Sequence, residues 1–168
     1  RTLNNLIQVI ARGELNAEII CVVASSERAS GMQYAEKNNI PVEVIYSGDY
    51  TPEEYSEAVF QPFRALEIDY VVIAGYLKFL EIPADFIDRV LNIHPSLIPS
   101  FCGKGMFGRR VHEQVLVRGA KVTGATVHFV DNEYDHGPII VQRPVLVKEN
   151  DTVDTLSDRV LHEAEFPL

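Results

Sequence analysis

Residues 51–74 read TPEEYSEAVFQPFRALEIDYVVIA, and the change of period inside this stretch decides the fold class. Thr51-Pro-Glu-Glu54 sets a capping hydroxyl, a proline at the first helical position and acids in the first turn, which predicts a helix from about Pro52 to Leu66. Ile68-Asp-Tyr-Val-Val-Ile-Ala74 then drops the helical period for a short apolar run, the strongest buried-strand pattern in the chain. The same alternation extends upstream. Leu3, Leu6, Ile7 and Ile10 lie at helical spacing and end before Gly13, and Glu18 to Ala24 is an apolar run of strand length. A helical stretch from about Ala29 to Asn38 precedes a further strand at Pro41-Val-Glu-Val-Ile-Tyr46. Strands this apolar, alternating with helices, imply a parallel sheet covered by helices.

Downstream the texture changes. A short helix around Ala84–Arg89 leads into a strand, Val90-Leu-Asn-Ile-His94, that stops at Pro95 because proline donates nothing to a ladder. A loop containing Pro99, Gly103, Gly105 and Gly108 precedes a helix from about Arg110 to Arg118. Thr126–Val130 and Ile139–Val147 read as strands joined by the polar segment Asp131–Gly137, an antiparallel pair, and Asp151-Thr-Val-Asp-Thr155 opens a last helix that is still running at the final residue. The fold class expected is α/β, a doubly wound and mostly parallel sheet with an antiparallel edge in the C-terminal half.

Composition narrows the function. The 168 residues suffice for one domain, and 46% hydrophobic with 23% charged residues is ordinary for a globular chain. No apolar run approaches a membrane span. With 15 Lys+Arg against 24 Asp+Glu, the net charge of −9 argues against nucleic acid and anionic membranes as partners. Two cysteines, Cys21 and Cys102, make no CxxC pair and no disulfide framework, which points to a reducing, cytoplasmic setting. Five histidines form no HExxH or other regular ligand spacing, so no metal is expected. There is no G-x-S-x-G elbow and no G-x-G-x-x-G after a strand.

Ligands of open α/β sheets bind beyond the carboxyl ends of strands, where Asn92 and His94 lie. Two residues apart on a strand, they face one side together: an amide that can donate to a developing oxyanion, beside an imidazole that can move a proton. An isolated Asn-x-His also occurs where polar groups merely complete a turn. Asp131-Asn-Glu-Tyr-Asp-His-Gly-Pro138 gathers three acids and a His in one loop, and Asp135 folded near His94 would raise the imidazole pKa. His128 reads as half-buried in its strand, and His112 and His162 read as surface residues of helices. Lys104, Arg109 and Arg110 flank the site and favour a small anionic substrate.

Three motifs in order, Leu91-Asn-Ile-His-Pro-Ser-Leu-Ile-Pro-Ser100, Gly124-Ala-Thr-Val-His-Phe-Val130, and Asp135-His-Gly-Pro-Ile-Ile140 with Gln142, make the chain resemble the folate-dependent formyltransferases of purine synthesis, the phosphoribosylglycinamide formyltransferase family. The resemblance runs over nearly the whole chain. It implies a Rossmann-like formyltransferase fold and transfer of a formyl group from 10-formyltetrahydrofolate, the co-substrate, to the amine of glycinamide ribonucleotide, without metal. It implies catalytic roles for Asn92, His94 and Asp135. Leu77, Lys78, Phe79 and Leu80, with Asn92, match the folate-binding stretch, and Arg1, Thr2 and Glu165 match substrate-binding positions.

Three departures accompany the match. The family opens with a strand and a glycine-rich phosphate loop, whereas Arg1-Thr2-Leu3 stands where Gly-Ser-Asn-Leu is usual, so residues 1–168 are expected to be a single formyltransferase domain lacking that strand, that loop and its C-terminal end. Pro52 stands where many relatives carry an Arg near the folate. The Phe101–Gly108 loop is longer and richer in glycine than usual, and the substrate-contacting Glu of the last helix is Glu163 or Glu165. The same trio occurs in formyltetrahydrofolate hydrolase, methionyl-tRNA formyltransferase and sugar N-formyltransferases; Pro95 speaks against the first, and the charge and length against the second. An inactive folate or nucleotide binding module is the alternative outside enzymes, although a binder has no need of a proton-transfer set. The expected partners are small molecules, with the chain a monomer or homodimer.

Overall fold

Thr51 caps its helix through a reciprocal pair: its hydroxyl accepts from the Glu54 N–H at 3.4 Å, and the Glu54 carboxylate accepts from the Thr51 N–H at 3.0 Å. The computed structural model describes residues 1–168, which divide into two units, Arg1–Asp85 and Phe86–Leu168.

In the first unit α1 (Thr2–Ala11), β1 (Val22–Ala24), α2 (Met32–Lys37), β2 (Val42–Val44), α3 (Pro52–Ala65) and β3 (Val71–Ile73) alternate as the periodicity predicts. β1 and β2 pair in parallel, with Val22 opposite Val42 and Ala24 opposite Val44. The strands are shorter than their apolar runs. The ladder between them closes with Val22 N–H on the Pro41 carbonyl and Ile45 N–H on the Ala24 carbonyl, and Pro41 has no N–H with which to extend it. Nor is β3 buried throughout, since Val72 is 45% exposed. An unbroken apolar run signals a strand, but whether both pleat faces are covered depends on residues far away in sequence. Inside this unit the Tyr55 hydroxyl donates to the Ile45 carbonyl at 3.3 Å and so receives the Tyr76 hydroxyl.

The second unit contains β4 (Val90–His94), α4 (Arg109–Val117), β5 (Val122–Phe129), β6 (Ile139–Leu146) and α5 (Val153–Val160), the last followed by a π-helical turn over Leu161–Glu165. β5 pairs antiparallel with β6, as the C-terminal pattern predicts, and on its other side pairs antiparallel with β4, which the pattern does not foretell. The register sets Asn92 opposite His128 and His94 opposite Thr126. On the β6 side it skips Ile140 between the pairs Val127–Val141 and His128–Ile139, a bulge beside the functional loop. Val115, Ala125, Val145, Leu156, Val160 and Ala164 form the core beneath this sheet.

Two motif glycines are explained by space. A Cβ on Gly137 would lie 2.0 Å from the Phe129 carbonyl oxygen, and one on Gly124 would lie 2.1 Å from that of Arg143. Both backbones approach so closely that only hydrogen fits. The start of α5 is tied back to the end of β6: the nearly buried Asp151 carboxylate accepts from Arg159 and, at 2.7 Å, from the Lys148 N–H, while Arg159 also donates to the Leu146 carbonyl at 3.0 Å. The guanidinium holds the Asp151 carboxyl well below the usual carboxylate range.

Candidate functional site

β4 ends at His94 because Pro95 follows, and its pleat directs Asn92 and His94 to one side. His94 is 3% exposed. Its Nε2 lies 2.9 Å from the Phe101 carbonyl, which can only accept, so Nε2 carries a hydrogen. Its Nδ1 lies 3.4 Å from Asp135 Oδ2. Asp135 sits at φ +52° in the loop between β5 and β6, a left-handed conformation that Asp tolerates better than most residues. The same Oδ2 accepts from the Gly103 N–H at 2.9 Å, so one loop touches both members of the pair through its backbone. Across the ladder, Asn92 Nδ2 is 3.2 Å from His128 Nε2, which is itself 3.9 Å from Asp135 Oδ1. The structure thus brings Asn92, His94 and Asp135 together and adds His128 to them.

Burial pushes the His94 imidazole below its ordinary pKa, and the neighbouring His128 adds to that; Asp135 and the Phe101 carbonyl pull the other way and lose. Asp135 acts in the expected direction, raising the value, but it does not decide the net shift. Desolvation of a ring that is almost wholly enclosed outweighs a carboxylate at 3.4 Å. In the free site at neutral pH His94 is a neutral base whose unprotonated Nδ1 faces a carboxylate. A proton taken there is stabilised on arrival.

The loop that follows β4 is shaped by a buried network. Thr126 Oγ1 donates to the Ser96 carbonyl at 2.7 Å and accepts from the Ile98 N–H at 3.1 Å and from Gln142 Nε2 at 3.0 Å, and Gln142 Nε2 also reaches the Ile98 carbonyl at 2.9 Å. Ser96 donates to the Ser100 carbonyl. These motif residues therefore hold backbone and do not face chemistry. Thr126→Val keeps the shape but removes the partner of the Ser96 carbonyl and of the Ile98 N–H, while Gln142 keeps its bond to the Ile98 carbonyl, and is expected to lower unfolding free energy by about 2–3 kcal/mol in urea titration.

The other predicted residues are placed by their own units. Leu77, Lys78 and Phe79 are exposed and Leu80 is buried, in a segment held at its ends by Tyr76 on Tyr55 and by the Glu81 N–H on Ser56 Oγ at 2.9 Å. Arg1 precedes α1 as its cap residue without a side-chain capping bond, and Thr2 is the first residue of the helix. Glu165 is half-buried at the end of the π-helical turn, and Glu163 is exposed. Arg109 pairs with Asp154 on the surface, and Lys104 and Arg110 are exposed. No group of three His, Cys, Asp or Glu residues is arranged to hold a metal.

Two histidines differ from their sequence reading. His128 is 1% exposed, not half-buried, and His112 is 2% exposed, not a surface residue. His112 faces the core side of α4, its Nδ1 has no hydrogen-bond partner, and burial, with His94 and Arg109 adding, pushes its pKa down to about 4. The unfolded chain binds that proton near the ordinary value of about 6.5, so the resulting stability is present above that pH and is lost as pH falls toward 4. The full linkage is on the order of 3 kcal/mol. His112→Leu is expected to flatten the fall in unfolding free energy between pH 6.5 and 4, and an unchanged slope would assign the acid lability elsewhere.

Residues 1–166 match the family model described as formyl transferase. The chain belongs to the formyl transferase family. It is 42% identical over 156 residues to the chloroplastic phosphoribosylglycinamide formyltransferase of Arabidopsis thaliana, covering 90% of this chain and 53% of that protein. It is 41% identical over 152 residues to the trifunctional purine biosynthetic protein adenosine-3 of Gallus gallus, covering 89% of this chain and 15% of that one. Among solved formyl transferases, glycinamide ribonucleotide transformylase 1 from Symbiobacterium toebii superposes with a TM-score of 0.91 at 32% identity, covering 99% of this chain and 77% of that one. The α/β fold class holds. This formyl transferase chain spans about half the length of the plant relatives it matches, and no helix in it is long and apolar enough to cross a membrane.

Proposed function

We propose that this chain carries out formyl transfer from 10-formyltetrahydrofolate to the primary amine of glycinamide ribonucleotide, a step of purine biosynthesis. The observation that carries the reading is the buried imidazole of His94 with its Nδ1 3.4 Å from Asp135 and with Asn92 two residues away on the same strand. The amine nitrogen attacks the formyl carbon, and the carbonyl oxygen becomes an oxyanion toward which the Asn92 amide donates. His94 takes the proton that the attacking amine must lose, and Asp135 stabilises the imidazolium so formed. The bond from the formyl carbon to the folate nitrogen then breaks, the proton passes to that nitrogen, and tetrahydrofolate and the formylated amine leave.

Backbone of the segment Leu77, Lys78, Phe79 and Leu80, with Asn92, receives the folate in this reading; the exposure of the first three and the tethering of the segment's ends support it. Arg1, the Thr2 N–H at the start of α1, and Glu165 receive the ribonucleotide. Cys21 and Cys102 are free thiols, in keeping with a reducing compartment such as the cytoplasm; the plant relatives are named as chloroplastic. The test is release of deformylated folate with and without glycinamide ribonucleotide. Ribotide-dependent release is expected, whereas ribotide-independent release would replace the transferase with a hydrolase, and folate binding without release would leave only a binding module.

A further inference from the structure

His128 is fully enclosed, lies directly opposite Asn92 in the β4–β5 ladder, and makes hydrogen bonds at both ring nitrogens. Its Nδ1 is 2.7 Å from the Phe129 carbonyl. A carbonyl only accepts, so Nδ1 bears the hydrogen, and in the neutral ring Nε2 is left as a bare acceptor. That acceptor meets Asn92 Nδ2 at 3.2 Å. From this geometry we propose that His128 is the positioning residue that aims the Asn92 amide at the reacting formyl oxygen.

One amide hydrogen is spent on His128, which fixes the plane of the carboxamide and the direction of the second hydrogen. Turning the amide over would set Asn92 Oδ1 against the Nε2 lone pair, two acceptors face to face, so the neutral Nδ1–H ring selects one of two shapes that Asn otherwise adopts freely. Asp135 Oδ1 stands 3.9 Å from His128 Nε2, too far for a hydrogen bond to that atom, and His94 and Asp131 are its other titratable neighbours. The bulge that skips Ile140 lies next to His128, where a local change of twist redirects a side chain. An oxyanion donor works by being aimed before the charge appears, and here a cross-strand neighbour does the aiming.

The kinetic arm rests on the formyl-transfer reading; the spectroscopic arm does not. In the full chain with nitrogen-15 histidine at neutral pH, His128 is expected to show a protonated Nδ1 and an unprotonated Nε2, and the Nε2 signal is expected to move in Asn92→Ala. An Nε2–H ring, an imidazolium, or an Nε2 signal indifferent to Asn92 overturns the proposal even if the chain has no transferase activity. In turnover, His128→Gln keeps an acceptor near the Nε2 position and is expected to retain kcat within a few-fold. His128→Leu is expected to lose about tenfold to a hundredfold in kcat with little change in KM, and to lose nothing further in an Asn92→Ala background. Equal losses for Gln and Leu, or additive losses in the double variant, contradict it; an inactive parent chain contradicts the transferase reading instead.

Discussion

His94→Ala is expected to lower kcat by roughly 10²–10⁴-fold while leaving the affinity for formyl folate within a few-fold. The size follows from the position of the ring. His94 Nδ1 lies 3.4 Å from the Asp135 carboxylate, nearer than the 3.9 Å of His128 Nε2, which is already taken up by the Asn92 amide. Because the ring is 3% exposed, truncation to Ala also leaves a cavity, so His94→Gln serves as the companion variant. Its amide can still donate to the Phe101 carbonyl, yet it has no nitrogen that takes a proton near neutral pH. Both variants should be equally slow. Turnover retained in His94→Gln would mean that the imidazole holds the Phe101–Gly108 loop and moves no proton.

Asp135→Asn is the second large effect, and it separates charge from scaffold. An Asn oxygen can still accept from the Gly103 N–H, which now meets Asp135 at 2.9 Å, so the loop contact survives while the charge 3.4 Å from His94 is removed. Asp135 at present opposes the lowering that burial imposes on His94. Without it the imidazolium loses its stabilising neighbour and the His94 pKa falls further. Two readouts follow: kcat drops by roughly a hundredfold or more because the proton-bearing ring is no longer stabilised, and the acidic limb of the rate profile moves to lower pH, because less of the base is protonated at any given pH. An acidic limb that stays in place would remove Asp135 from the proton transfer, and one that moves to higher pH would reverse the electrostatic assignment.

Features set by near neighbours were legible in the sequence. The Thr51–Glu54 capping pair, the proline after it and the β4 strand ending at Pro95 all depend on a few adjacent residues, and each stands where the pattern placed it. The side-by-side placement of Asn92 and His94 follows from the two-residue period of a strand. What the pattern misplaced depends on partners far along the chain. Apolar runs at Glu18–Ala24 and Ile68–Ala74 became three-residue strands, because a ladder ends where its partner does. His112 and His128 looked like surface and half-buried residues because burial of a histidine is decided by what packs over it. For His128 a signal was present: once β4 and β5 are paired antiparallel, Thr126-Val-His128 repeats the spacing of Asn92-Ile-His94 and must lie opposite it. The net direction of the His94 shift was not legible for a related reason, since the carboxylate was visible as a motif residue whereas the depth of burial was not.

The central claim is that this chain moves a formyl carbon onto an amine. It is tested most directly with 10-formyltetrahydrofolate labelled with carbon-13 in the formyl group, glycinamide ribonucleotide and the purified chain, reading the mass of the ribonucleotide. A ribonucleotide heavier by one labelled carbonyl unit is expected, formed in step with tetrahydrofolate and abolished in His94→Gln. Label appearing as free formate while the ribonucleotide keeps its mass would contradict it.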